Sequence, residues 1–243
     1  MMRTLGDPAP PEGRPTHGGW YCGRVPERLA KHDLTAVRLT AAHAELDHAA
    51  LMASSAYLRA WSDSDWPEDD FSVEQNRGEL AWHDEEHAAR IAFTYSLLDA
   101  AESRALGCVY LRPLRDMLGT RGVEPPAGPE WPGGATPCVR GWVRRDEPKA
   151  LERRFTGVVT TWLTGPDWSF RDLWWTAASD DLRQLAALNA LGWTRELKVT
   201  TARGARRTQS RPVRSRAVAA TRSRVLPARR AARTRILEAI QFE

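Results

Sequence analysis

Ala81 to Arg90 reads AWHDEEHAAR, in which His83 and His87 stand four residues apart with Asp84, Glu85 and Glu86 between them. Residues at i and i+4 of a helix share a face, so this pair offers three chemistries. It can share a metal ion, do acid-base work, or form a solvated edge whose carboxylates satisfy the imidazoles. Zinc fits least well. The metalloprotease pattern needs glutamate directly after the first histidine, whereas the shorter Asp84 follows His83 here and no third ligand stands at the usual downstream spacing. No metal is expected. Histidine titrates near neutrality, which suits it to unload a proton from an attacking amine. The catalytic expectation is therefore that His83 or His87, oriented by Asp84, acts as a base, with the solvated edge as its structural alternative.

These side chains need a helix to hold them. Ser72 followed by Gln75 is a capping box, and helical periodicity runs from there to about Arg90. Turning about 100° per residue, Val73, Leu80 and Ile91 define an apolar stripe, which places both histidines at its edge and points Glu85 and Glu86 away. Upstream, TAVRL reads as a short strand, and Leu46, Ala50, Ala53, Tyr57 and Trp61 fall at the spacing of one amphipathic helix. Downstream, IAFTYSLLD and ALGCVYLRPL are strand-like and joined by AAESR, which predicts an antiparallel hairpin.

The stretch Arg115 to Thr136 is crowded with proline and glycine and reads as a surface loop. CVRGWVRR is a third strand of this series. It runs into a helix that starts around Asp146 to Pro148, carries Leu151, Phe155, Val158 and Trp162 as its apolar stripe, and stops at Gly165-Pro166. FRDLWWT, a capped helix from Ser179 to Gly192, and WTREL complete the series. The order β, α, α, β, β, β, α, β, α, β predicts an α+β fold: a mixed, mostly antiparallel sheet flanked by helices.

Composition frames this as one domain with two tails: residues 1–33 as a flexible leader rich in Pro and Gly, residues 34–200 as the domain, and residues 201–243 as a disordered tail. The 243 residues carry a net charge of +4, with 32 arginines against 3 lysines, a bias typical of GC-rich genomes. Residues 201–243 hold 12 arginines, no lysine and 2 glutamates, so an acidic body precedes a basic tail. Such a tail binds polyanions through counterion release, but Arg203 to Arg235 holds no aromatic residue for single strands to stack on, so a nucleic-acid partner is expected only through this segment. No apolar run is long enough to span a bilayer and the N-terminus lacks a signal-peptide pattern, which predicts a cytoplasmic protein with no membrane partner. Cys22, Cys108 and Cys138 are odd in number and never form C-x-x-C, so neither a disulfide framework nor a thiolate zinc site is expected. The sequence leaves the oligomeric state open.

The element order, together with ALGCVYLRPL, VRGWVRR and DDLRQLAALNALGW, resembles the GNAT acyl-CoA N-acyltransferase superfamily and its less characterised bacterial members, over about Val37 to Leu197. The resemblance implies that acetyl-CoA is the co-substrate and lies where two neighbouring parallel strands splay apart. Its pantetheine would bond to the strand edge around Trp142, Val143 and Arg144. Its diphosphate would sit on the following turn and helix start, with Arg145, Lys149 and Ala150 as binding residues, because the first N–H groups of a helix lack internal partners and carry about half a positive charge. The acceptor would be the amine of a small molecule or peptide, and the helix bearing His83 and His87 would help to wall its pocket.

Two departures bear on this. Where the superfamily has a glycine-rich phosphate loop, this chain has RDEPKA; Pro148 removes an N–H, and Asp146 and Glu147 repel phosphate. Where many members carry a tyrosine that protonates the leaving thiolate, four residues before the terminal glycine of the last helix, this chain has Leu188. The aromatic Trp193 after Gly192 keeps the pattern and should pack in the core. The sequence thus points first to direct acetyl transfer, and alternatively to a GNAT-like binding or regulatory module with weak catalysis, or to a nucleic-acid-binding protein acting through its basic tail.

Overall fold

The computed structural model describes residues 19–31, 34–119, 136–168, 170–200, 217–219 and 233–237. They divide into two compact units, Met1–Leu111 with Gly141–Pro148, and Arg112–Arg140 with Lys149–Glu243.

In the first unit four strands pair antiparallel in chain order: β1 (Arg28–Lys31), β2 (Leu34–Arg38), β3 (Phe93–Asp99) and β4 (Ala105–Pro113), the last ending just inside the second unit. The β3–β4 connection turns as predicted. Glu102 takes a positive φ of 55°, and the Asp99 carboxylate accepts from the N–H groups of Ser103 and Arg104. Three helices cover this sheet, α1 (Ala44–Met52), α2 (Ser55–Ser62) and α3 (Val73–Ala88). The capping box of α3 forms as read from the sequence, Ser72 Oγ accepting from Gln75 N–H and Gln75 Oε1 accepting from Ser72 N–H. Leu51, Leu58, Trp61, Phe71, Leu80, Cys108 and Trp142 pack into one core cluster.

Three expectations are corrected here. Ordered structure begins before residue 34: Trp20 and Tyr21 pack their rings on Phe93, Arg90 donates to the carbonyls of Tyr21 and Gly23 at 2.9 and 2.7 Å, and β1 extends the sheet. Aromatic burial and satisfied carbonyls offset the ordering entropy that composition alone cannot offset. The single helix expected through Trp61 is two, broken at Ala53–Ser54, and the buried residue at the break is Ser54, not Ala53. The buried face of α3 runs through Asn76, Leu80, His83, Glu86 and His87, so Glu86 points inward and the histidines lie within that face.

The second unit holds α4 (Leu114–Gly119), β5 (Pro137–Val143) up to Arg140, α5 (Lys149–Thr164), β6 (Asp172–Ala178), α6 (Leu182–Ala190) and β7 (Thr194–Thr200). β5 pairs parallel with β6 at Cys138↔Trp174 and Val139↔Trp175. Its core joins Phe155, Trp175 and Trp193 edge to face, with centroids 5.8 Å apart for each pair. Trp193 is thus a packing residue, as expected. Gly192 ends α6 with a φ of 79°. The cap of α6 is Asp181, whose carboxylate accepts from Gln184 N–H, rather than Ser179. On α5 the buried stripe takes Val159 in place of Val158.

The tail is the largest correction. Ala217–Ala219 forms β8, antiparallel to both β6 and β7, and Arg233–Leu237 forms β9, parallel to both. Main-chain pairing to two neighbouring strands recruits a segment whose composition alone argues for disorder. The rest of the predicted tail, residues 201–216, 220–232 and 238–243, lies outside the described residues, as does most of the predicted 115–136 loop.

Candidate functional site

The segment that leaves β5 and enters α5 contains every residue the sequence nominated for the co-substrate. Trp142 and Val143 are fully buried. The end of β5 lies against β4 in the first unit, where Arg144 N–H donates to the Leu106 carbonyl at 2.8 Å. Gly107 makes this approach possible: a Cβ there would stand 2.1 Å from the Trp142 carbonyl oxygen.

The turn that follows is held by side chains where the superfamily pattern uses glycines. Arg144 forks onto Asp146, Nε to Oδ1 at 2.9 Å and NH2 to Oδ2 at 2.6 Å. This pairing raises the pKa of Arg144 and lowers that of Asp146. Arg104 adds a second cation, 2.6 Å from Glu147 and 3.6 Å from Asp146. Arg145 is fixed twice: its N–H donates to Ser54 Oγ at 3.1 Å, and its guanidinium lies 3.5 Å from the centre of the Tyr57 ring. Lys149 and Ala150, the first two residues of α5, are exposed. Their N–H groups have no partner within the helix, as at any helix start.

Sequence reasoning missed Ser54, Tyr57 and Arg104. Ser54 carries one weak signal, a serine in ASSAY where a helix is about to break. The other two reach the turn through tertiary contacts that no local pattern records.

The histidine face has a different character from the one expected. His87 is 3% exposed, its ring stands edge to face with Phe93 and Tyr95, and neither ring nitrogen makes a well-formed hydrogen bond. Burial, reinforced by the Arg38 cation, pushes its pKa down to about 4, so it is a neutral and weak base at pH 7. Asp84 accepts from Arg38 Nε at 2.7 Å. His83, also buried, stands 3.5 Å from Thr94 Oγ1 and 3.6 Å from Glu86, with the Tyr110 ring beside it. Asp47, also buried, accepts from Asn76 Nδ2 at 3.0 Å, and burial raises its pKa to about 6. Among the described residues no group of three or more His, Cys, Asp or Glu side chains is arranged to hold a metal ion, and no helix is long and apolar enough to cross a membrane.

Neither a sequence-family model nor a curated protein matches the chain. Solved structures do. RimL, the ribosomal L7/L12 alpha-N-protein acetyltransferase in its apo form, superimposes with a TM-score of 0.53 at 12% identity, covering 79% of this chain and 91% of its own. The microcin C7 self-immunity acetyltransferase MccE, in complex with acetyl-CoA and AMP, gives 0.53 at 10% identity, covering 70% and 83%. The ribosomal-protein-S5-alanine acetyltransferase from Vibrio fischeri gives 0.50 at 17% identity, covering 71% and 86%. This chain has the GNAT acetyltransferase fold. Leu188, in α6, is fully buried and has no proton to give.

Proposed function

We propose that the protein transfers the acetyl group of acetyl-CoA to an amine by direct attack. The observation that carries this reading is the exposed start of α5 directly after a parallel strand of a GNAT fold, with Lys149 and Ala150 open at the helix N-terminus. The diphosphate is bound by the amides of Lys149 and Ala150, the Lys149 ammonium and Arg145. Pantetheine runs along the main chain of Trp142 and Val143, and the Val143 region polarises the thioester carbonyl. Arg144 serves indirectly, by neutralising the Asp146 carboxylate.

The neutral amine attacks the carbonyl carbon, a C–N bond forms, the C–S bond breaks and coenzyme A leaves as thiolate, taking its proton from solvent because Leu188 supplies none. His83 accepts the proton that the amine loses, whereas His87 and Asp84 support the fold. A peptide α-amine is the favoured acceptor, since two of the three neighbours named above are ribosomal-protein acetyltransferases. A soluble, cytoplasmic setting accords with this chemistry.

Thiol release from acetyl-CoA, measured with a panel of N-terminal peptides and small amines, tests the reading. Amine-dependent release with acetylated product supports it. Absence of release across the panel, with acetyl-CoA bound, favours the second reading, an acyl-CoA-binding module with weak catalysis, for which the buried Leu188 is the specific observation.

A further inference from the structure

The second unit buries a carboxylate that the proposed chemistry leaves unused. Glu152, in the first turn of α5, is fully buried. Two consecutive side chains from the first turn of α6 meet it: Arg183 Nε stands 3.4 Å from Oε2, and Gln184 Nε2 donates to Oε1 at 3.4 Å. Gln184 is itself fully buried, and its N–H is the one that the Asp181 cap accepts. A single network therefore runs from the cap of α6 to the first turn of α5.

Burying an ion pair costs desolvation free energy that the mutual attraction seldom exceeds, so well-packed apolar residues of the same volume would hold the two helices at least as firmly. What the network adds is direction. Apolar contacts tolerate sliding by a fraction of an ångström, whereas a carboxylate that accepts from the Gln184 amide and attracts the Arg183 cation favours one register of the two helix starts. Glu152 lies three residues after Lys149, so the turn it fixes is the one whose unpaired amides point outward.

We infer that Glu152 is a positioning residue for the co-substrate. Through Arg183 and Gln184 it holds the first turn of α5 in register with the first turn of α6, and so aims the amides of Lys149 and Ala150 at the acyl-CoA diphosphate. The inference rests on the acetyl-CoA reading above.

The test is Glu152→Gln in the full-length protein, with acetyl-CoA as the probe. The expected result is a rise of about tenfold in both Kd and KM for acetyl-CoA, with kcat at saturation held within about twofold, as for a misaimed binding group remote from the reacting atoms. Loss of the carboxylate makes the site more positive, so a purely electrostatic role would tighten binding; unchanged or tighter binding overturns the inference. If Glu152→Gln loses the fold by circular dichroism, the paired change Glu152→Leu with Arg183→Leu, which leaves no buried charge, is measured in its place with the same expected loss and the same overturning result. The wild-type titration separates the two levels. No wild-type binding overturns the acetyl-CoA reading and the role of Glu152 with it, whereas wild-type binding with undiminished variant affinity overturns the role of Glu152 alone.

Discussion

The guanidinium of Arg144 holds both carboxylate oxygens of Asp146, two residues further along, at 2.9 and 2.6 Å. The turn before α5 thus carries its own anion, and Arg144 is committed to it. Asp146→Asn removes that charge and releases Arg144. It should tighten coenzyme A binding about fivefold, the worth of roughly one partly screened charge-assisted contact. Calorimetric titration of the variant checks this; weaker binding would mean that the fork supports the ligand instead of competing with it.

Ser54 anchors the same turn from the break between α1 and α2. Its Oγ accepts Arg145 N–H at 3.1 Å and the residue is 3% exposed. Ser54→Ala leaves that N–H without its acceptor and should cost about 1–2 kcal/mol in urea unfolding. Acetyl-CoA KM should rise with it, because the backbone of Arg145 is no longer fixed. An unaltered KM would detach Ser54 from the site.

Asp47 makes the first unit sensitive to base. Burial raises its pKa from the ordinary 3.8 to about 6, so the folded chain holds an extra proton between those values and loses stability as pH rises through about 6. Asp47→Asn should therefore raise Tm at pH 8, by the equivalent of about 2 kcal/mol, and the gain should vanish below pH 4. The unpaired Oδ1 of Asn76 is available to accept from the new amide. A variant equally destabilised at both pH values would contradict this.

His87 acts in the opposite direction. Its pKa falls from 6.5 to about 4, with Arg38, Glu27 and Asp84 as the charged groups around it, so the unfolded chain binds the extra proton and stability drops as pH falls from about 6.5 to 4. His87→Phe, which suits the box of Phe93 and Tyr95, should flatten that acid limb in thermal melts from pH 7 to pH 4. Retention of the full limb would place the acid sensitivity elsewhere.

Local chemistry made part of this architecture readable. Ser72 with Gln75, the AAESR hairpin, Gly192 and Trp193 each act through neighbours in sequence or through a strong packing preference, and each stands in the structure as read. The misread features depend on distant partners. Trp20 and Tyr21 are ordered because Phe93 is there to cover, and β9 exists because β6 and β7 receive it. For α3, three apolar residues suggested one stripe, but the sheet rings of Phe93 and Tyr95 and the ring of Tyr110 meet the histidines, so a polar sequence face became a buried one. At the candidate site, exposure of Lys149 and Ala150 follows from their place at a helix start. The grip of Ser54 and Tyr57 on Arg145 spans 91 and 88 positions and has no local signature.

The most direct test is calorimetric titration of acetyl-CoA into the full-length protein, with coenzyme A and ADP as controls and salt raised to suppress binding by the arginine-rich tail. The account predicts saturable micromolar binding of acetyl-CoA that persists in salt and that ADP only partly reproduces. No binding at millimolar ligand, or binding that ADP matches and salt abolishes, would contradict it.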